Sequence, residues 1–145
     1  MSVPVLQATD IKRDYHIAGG LLGRSRTVHA LKGVSLKVEK GKTLAVVGES
    51  GCGKSTLARI ITMIDAPTSG ELKLDGEVVD IRRQGVGKAL RRKVQIVFQN
   101  PYGSLNPRQK IGDVLMEPLL LNTDMPPDAR RDRAMEMLKK VGLQP

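Results

Sequence analysis

Tryptophan is missing from the 145 residues, and the aromatic rings are only Tyr15, Phe98 and Tyr102. A protein that grips single-stranded nucleic acid by base stacking needs more platforms than that. Cys52 is the single cysteine, which excludes an internal disulfide and a zinc site built from several thiolates, and fits a reducing compartment. Apolar runs extend for a handful of residues, far short of the roughly 20 that cross a bilayer. Met1 to Asp10 has neither the basic start nor the apolar stretch of a secretory signal. A cytosolic protein that reaches a membrane only through a partner is therefore expected. His16 and His29 have no ligand motif beside them and read as surface or packing residues.

What is present points to a folded chain. Hydrophobic residues make up 40% and charged residues 27%, enough apolar content for a packed core and one ordinary domain. Lys and Arg number 24 against 15 Asp and Glu, a formal net charge of +9. Almost all of that excess lies between Arg82 and Lys110, where Arg82, Arg83, Lys88, Arg91, Arg92, Lys93, Arg108 and Lys110 meet no acid. Such a stretch reads as a nucleic-acid footprint, as a face toward anionic lipid or an acidic partner, or as a solvated surface.

Along the chain, Val3 to Ala8 is a short strand candidate with Pro4 at its edge, and Gly19 to Ser25 is a loop. Val34, Leu36 and Val38 alternate with polar residues, the period of a half-buried strand. Lys40-Gly41-Lys42 turns the chain into Leu44-Ala45-Val46-Val47, which reads as a strand buried on both faces. Leu57, Ile60, Ile61 and Ile64 form one helical stripe, ended by Ala66 to Gly70. Leu72 and Leu74 face Val78 and Val79 across Asp75-Gly76, a favourable hairpin turn. Val94, Ile96, Val97 and Phe98 read as another buried strand. Helices are expected near Ile111 to Leu121 and Asp128 to Val141, separated by Met125-Pro126-Pro127.

Chemistry concentrates in Gly48-Glu49-Ser50-Gly51-Cys52-Gly53-Lys54-Ser55-Thr56. This is the G-x-x-x-x-G-K-[ST] pattern, set between a buried strand and an amphipathic helix as its mechanism requires. The glycines let successive backbone N–H groups turn into one concavity, and the following helix N-terminus adds unpaired amides and a positive dipole end. Lys54 supplies charge for β- and γ-phosphates, Ser55 a hydroxyl for Mg²⁺, and Thr56 a contact for the α-phosphate. A nucleoside triphosphate with Mg²⁺ is the ligand this loop implies. Cys52 reads as a small residue that fits the loop, and a thiol reagent there is expected to block nucleotide binding.

The loop by itself does not choose among kinases, GTPases, helicases and transport ATPases. Three further features narrow it: antiparallel β structure on both sides of the loop unit, Gln99 closing the strand in Ile96-Val97-Phe98-Gln99-Asn100-Pro101, and Tyr15 in Arg13-Asp14-Tyr15-His16, an aromatic ring for adenine. Together they resemble the nucleotide-binding subunits of ABC transporters over the whole chain. Phe98 to Arg108, the phosphate loop and Glu117-Pro118-Leu119-Leu120 are similar to the peptide-importer branch, which takes up dipeptides and oligopeptides and has nickel importers close by. The resemblance implies an α/β P-loop NTPase of ABC type. Residues 1–108 would hold the nucleotide-binding core with its antiparallel β region and an incomplete parallel sheet, and 109–145 the start of the helical subdomain. It implies that Gln99 positions Mg²⁺ and the attacking water and leads toward the membrane partner. It also implies permease subunits, a second ATPase subunit, identical or not, an indirect solute-binding protein, and a place on the cytoplasmic face of a bacterial inner membrane. The basic stretch beside Gln99 then reads as facing the permease or membrane rather than nucleic acid.

Several of the family's parts are missing. Hydrolysis needs a water-positioning group and a metal-network Asp, in this family an Asp and Glu that follow four apolar residues. The nearest runs, Leu72 to Asp75 and Val78 to Asp80, are interrupted or short and fall in the hairpin. The Leu-Ser-Gly-Gly-Gln signature is absent, and both histidines precede the loop, so the late switch histidine is absent too. The expectation is an N-terminal part of such an ATPase, with no complete catalytic set, two strands short of neighbours, and weak or no hydrolysis alone. Rival readings are a non-transport ABC ATPase acting on nucleic acid or the ribosome, and a binding-only regulatory fragment.

Overall fold

The computed structural model describes residues 3–19, 24–82, 87–100 and 103–144. Gly20 to Gly23 of the expected loop, Arg83, the side chain of Lys88, and Pro101 and Tyr102 lie outside the described residues. The chain forms two compact units, Met1–Gln95 and Ile96–Pro145.

The first unit is built on an antiparallel sheet. Strands β1 (Leu6–Ile17), β2 (Arg26–Val38), β3 (Ser69–Leu74) and β4 (Glu77–Val78) lie in the order β2-β1-β3-β4. Leu6 faces Val38 at one end of the β1–β2 ladder and Ile17 faces Arg26 at the other. Both strands are longer than their apolar patterns indicate, and the reason is a bulge. Asp10 takes a positive φ of 47°, and the register of β1 slips between Ala8 and Ile11 against β2 and between Thr9 and Lys12 against β3. The extra residue puts Ala8 and Ile11, three apart, on the same buried face, so strict alternation fails where the strand continues. Gly70 makes the bulge possible. Its φ is +97°, and a Cβ there would stand 2.4 Å from the Asp10 carbonyl oxygen. The Asp10 N–H, displaced from the ladder, donates to Ser35 Oγ at 2.9 Å.

Helix α1 (Lys54–Ile61) lies on this sheet. Leu57 and Ile60 join Ala8, Ile11, Leu31, Met63, Leu72, Leu74 and Val79 in one apolar core. The helix stops earlier than its stripe implies. The Ile64 N–H bonds to the Arg59 carbonyl at 2.8 Å and the Met63 N–H to that of Ile60 at 3.0 Å. This crossed pair is the Schellman pattern, built here on Met63 at φ 59° rather than on glycine. Met63 turns into the core and Ile64 is left 47% exposed. The Asp75-Gly76 turn forms as expected, with both φ angles positive, as a type I′ hairpin requires.

Two expected buried strands take another form. Leu44 to Val47 and Val94 to Phe98 belong to no ladder among the described residues. Val47 is 88% and Val97 96% exposed. A strand is stabilised by hydrogen bonds and side-chain packing from its neighbours, so an apolar run without them has no sheet to join. A short helix that the pattern did not reveal, α2 (Lys88–Lys93), follows Gly87; six residues are too few to display a helical period. Lys93 Nζ lies 2.7 Å from Asp75 Oδ2, so this member of the basic stretch is tied to the hairpin turn.

The second unit contains α3 (Ile111–Asn122) and α4 (Pro127–Lys140), close to their expected limits. Pro127 opens α4 where a missing N–H costs nothing, Asp128 and the pair Lys139 and Lys140 complement its dipole, and Ala134 is buried. No helix among the described residues is long and apolar enough to cross a membrane.

Candidate phosphate-binding site

The loop between Gly48 and Gly53 delivers the chain into α1 in a way that leaves its N-terminus open to a ligand. Gly53 occupies the N-cap in the left-handed conformation, φ 98°, with no side-chain cap and no acidic residue in the first turn. The first-turn amides therefore have no partner within the helix, and the dipole end is not neutralised from within. Gly53 is also required by space. A Cβ at this position would come within 2.6 Å of the Ala30 carbonyl oxygen and 2.8 Å of Leu31 Cδ2. At the other end of the loop, a Cβ on Gly48 would lie 2.7 Å from Cys52 Sγ. The Cys52 N–H closes the turn on the Glu49 carbonyl at 3.4 Å.

Lys54 folds back across this loop. Its Nζ donates to the carbonyl oxygens of Gly48 at 2.7 Å and Glu49 at 2.6 Å, and lies 3.6 Å from Cys52 Sγ. A cation is thus held over the concavity by neutral carbonyls, which an anionic oxygen outcompetes. Glu49, Ser50, Cys52 and Ser55 are exposed, and Thr56 is half-buried at the start of the helix. An uncapped first turn, a lysine above it and an exposed hydroxyl at Ser55 fit a triphosphate with Mg²⁺.

Tyr15 is placed by a network that its local sequence does not reveal. It stands on β1 opposite Val28, two residues beyond Arg13, which faces Leu31. The Tyr15 hydroxyl donates to Asp65 Oδ2 at 3.2 Å, and the Arg13 guanidinium carbon sits 4.5 Å from the ring centroid, a cation–π contact. Arg13 Nη1 donates to the Ala66 carbonyl at 2.9 Å. Asp65 in turn accepts from Arg59 Nε at 2.8 Å and Nη2 at 3.3 Å. The Arg59 hydrogen bond holds the Asp65 carboxyl below the usual carboxylate range, against the opposing pull of partial burial. The same bond raises the Arg59 guanidinium. Arg59 and Asp65 were not among the expected site residues, because six positions spanning a helix end is no recognised pairing distance.

The histidines behave as surface residues. His29 Nδ1 is 2.7 Å from Asp14 Oδ1, its cross-strand partner, and His16 Nδ1 is 3.0 Å from Thr27 Oγ1. Gln99 belongs to the second unit and is exposed there, in a segment that is neither helix nor strand.

Comparison with known proteins agrees with this geometry. Residues 31–145 match the family described as ABC transporter. The dipeptide transport ATP-binding protein DppF of Escherichia coli K12 is 55% identical over 97% of this chain and 42% of its own length. The di/tripeptide transport ATP-binding protein DppF of Pseudomonas aeruginosa is 56% identical over 97% of this chain and 44% of its own. The chain thus spans less than half the length of these curated relatives. Among solved structures, the ATP-binding cassette MJ0796, a dimer bound to ADP and phosphate, superposes with a TM-score of 0.71 at 28% identity, over 96% of this chain and 58% of that one.

Proposed function

The chain belongs to the ABC transporter family, and from that premise we propose that it is the nucleotide-binding part of an ATPase subunit that drives peptide import through a membrane permease. The observation that carries this reading is the open, left-handed entry into α1 with Lys54 held above it. Backbone amides of Glu49, Ser50, Gly51, Cys52 and Gly53 line the concavity for the β-phosphate. Lys54 leaves its carbonyl partners for the β- and γ-phosphate oxygens. Ser55 is a group that would hold Mg²⁺, and Thr56 meets the α-phosphate. When bound, Mg²⁺ neutralises charge on the phosphate oxygens. Tyr15 stacks on adenine.

Identity to dipeptide ATP-binding proteins across nearly the whole chain supports the importer reading. The dimeric cassette among the solved structures supports pairing with a second ATPase subunit. The subunit works peripherally at the cytoplasmic face of a bacterial inner membrane and receives solute indirectly from a binding protein. Residues 109–145 begin the helical subdomain, and the basic stretch from Arg82 to Lys110, beside Gln99, faces the permease.

The exposed Cys52 thiol provides the test. Saturating MgATP should slow alkylation of Cys52 in the parent chain, since phosphate fills the concavity that Cys52 borders. Lys54→Ala should lose that protection. Equal alkylation rates with and without MgATP in the parent chain would overturn the reading.

A further inference from the structure

Tyr15 is held at its hydroxyl by a residue just past the far end of the phosphate-loop helix and at one ring face by a residue of its own strand. The hydroxyl is bonded to Asp65, and one ring face is covered by Arg13. Arg13 itself is anchored on the carbonyl of Ala66, the residue after Asp65, while its buried Nε makes no hydrogen bond. Asp65 is clamped to Arg59 twice over. Its carboxylate takes two guanidinium bonds, and its N–H bonds to the Arg59 carbonyl at 3.2 Å. A tyrosine on a strand has two rotatable side-chain torsions, and this cluster fixes both.

We infer that Asp65 is a positioning residue for nucleotide binding: with Arg59 and Arg13 it sets the tilt of the Tyr15 ring so that the face opposite Arg13 receives the base. The inference rests on the reading of Tyr15 as the adenine-stacking residue. Its physical content is a fixed ruler. Arg59 stands five residues along α1 from Lys54, about 8 Å of helix at 1.5 Å per residue. Lys54 at the start of the helix marks the phosphate end, and Arg59 in its last turn is linked through Asp65 to Tyr15, which marks the base end. One rigid element therefore sets the separation of the two ends of the nucleotide site. An offset stack loses attraction as rings tilt out of parallel, so freeing the tyrosine weakens base binding and leaves phosphate binding as it was. The guanidinium on the rear face adds to this by enforcing which face is presented.

The chain has no tryptophan and only two tyrosines, which makes the test direct. In a Tyr102→Phe background, Tyr15 is the only strong intrinsic fluorophore, and ATP binding is read from its quenching. Affinity for ATP and for inorganic tripolyphosphate, the latter by calorimetry, is compared for the parent, Tyr15→Ala, Tyr15→Phe, Asp65→Asn and the Tyr15→Phe/Asp65→Asn double variant. In variants without Tyr15 the ATP affinity is also taken by calorimetry. Tripolyphosphate binding should be unchanged throughout. Tyr15→Phe and Asp65→Asn should each weaken ATP about fivefold, the scale of one hydrogen bond, and the double variant no further than either single one. If Tyr15→Ala weakens ATP while Tyr15→Phe and Asp65→Asn do not, the positioning inference is wrong and the stacking reading stands. If Tyr15→Ala leaves ATP affinity unchanged, the stacking reading fails and the inference with it. Equal loss of ATP and tripolyphosphate affinity in Asp65→Asn would make Asp65 a general structural residue and overturn the inference.

Discussion

At the scale of single residues, the site is a set of charges held by short-range partners. Lys54 is bonded to two carbonyls of its own loop, so it is held over the concavity that we propose receives phosphate. The Asp65 carboxyl is held below the usual carboxylate range by a bidentate guanidinium and, to a smaller extent, by the Tyr15 hydroxyl. A carboxyl whose folded pKa lies below its unfolded value stabilises the fold above the unfolded pKa and loses that contribution as pH falls through the folded one. Thermal melts from pH 6 downward should therefore show the parent losing stability more steeply than Asp65→Asn below about pH 4, the ordinary aspartate value. The effect is modest, since the Arg59 side chain is half exposed and solvent screens the pair. Parallel pH profiles for the two proteins would show that Asp65 titrates normally.

At the scale of elements, α1 shows how a sequence pattern is trimmed by its surroundings. The stripe Leu57, Ile60, Ile61, Ile64 is periodic over its whole length, yet the helix closes at Ile61 because the crossed bonds from Met63 and Ile64 terminate it. Met63 then occupies core space that the pattern assigns to Ile64. Leu57→Ala should cost about 2–4 kcal/mol in urea unfolding, the usual range for a buried leucine. Ile64→Ala should cost under about 1 kcal/mol, as expected at a half-exposed position. Similar losses at the two positions would mean that the helix continues along its stripe in solution. Strand β1 offers the complementary case. Its bulge at Asp10 hides the strand from any period-two reading, while Gly70 and Ser35, distant in sequence, accommodate it.

At the scale of the whole molecule, each unit carries apolar backbone that no described strand covers. Val46, Val47, Val97 and Phe98 are all exposed, and uncovered apolar surface of this kind promotes association. The chain should self-associate with rising concentration, measured by light scattering. A Val47→Lys/Val97→Lys variant should stay monomeric to higher concentration with little change in melting temperature. A large drop in melting temperature would instead place these valines in a packed core. The sequence by itself determined the phosphate loop, the Asp75-Gly76 hairpin and the limits of α3 and α4, because glycine placement, turn chemistry and helical period act within a few residues of one another. It also established the basic excess between Arg82 and Lys110. Only the tertiary structure decided that Lys93 answers Asp75, that Met63 ends α1, and that Arg13, Tyr15, Arg59 and Asp65 meet. The Lys93–Asp75 and Tyr15–Asp65 pairs join residues 18 and 50 positions apart, which no local pattern encodes, and Met63 ends α1 because its side chain is taken into the core. The apolar runs at Leu44 and Val94 stand between the two cases: their composition is local, but a strand exists only where a neighbour supplies the other half of its hydrogen bonds.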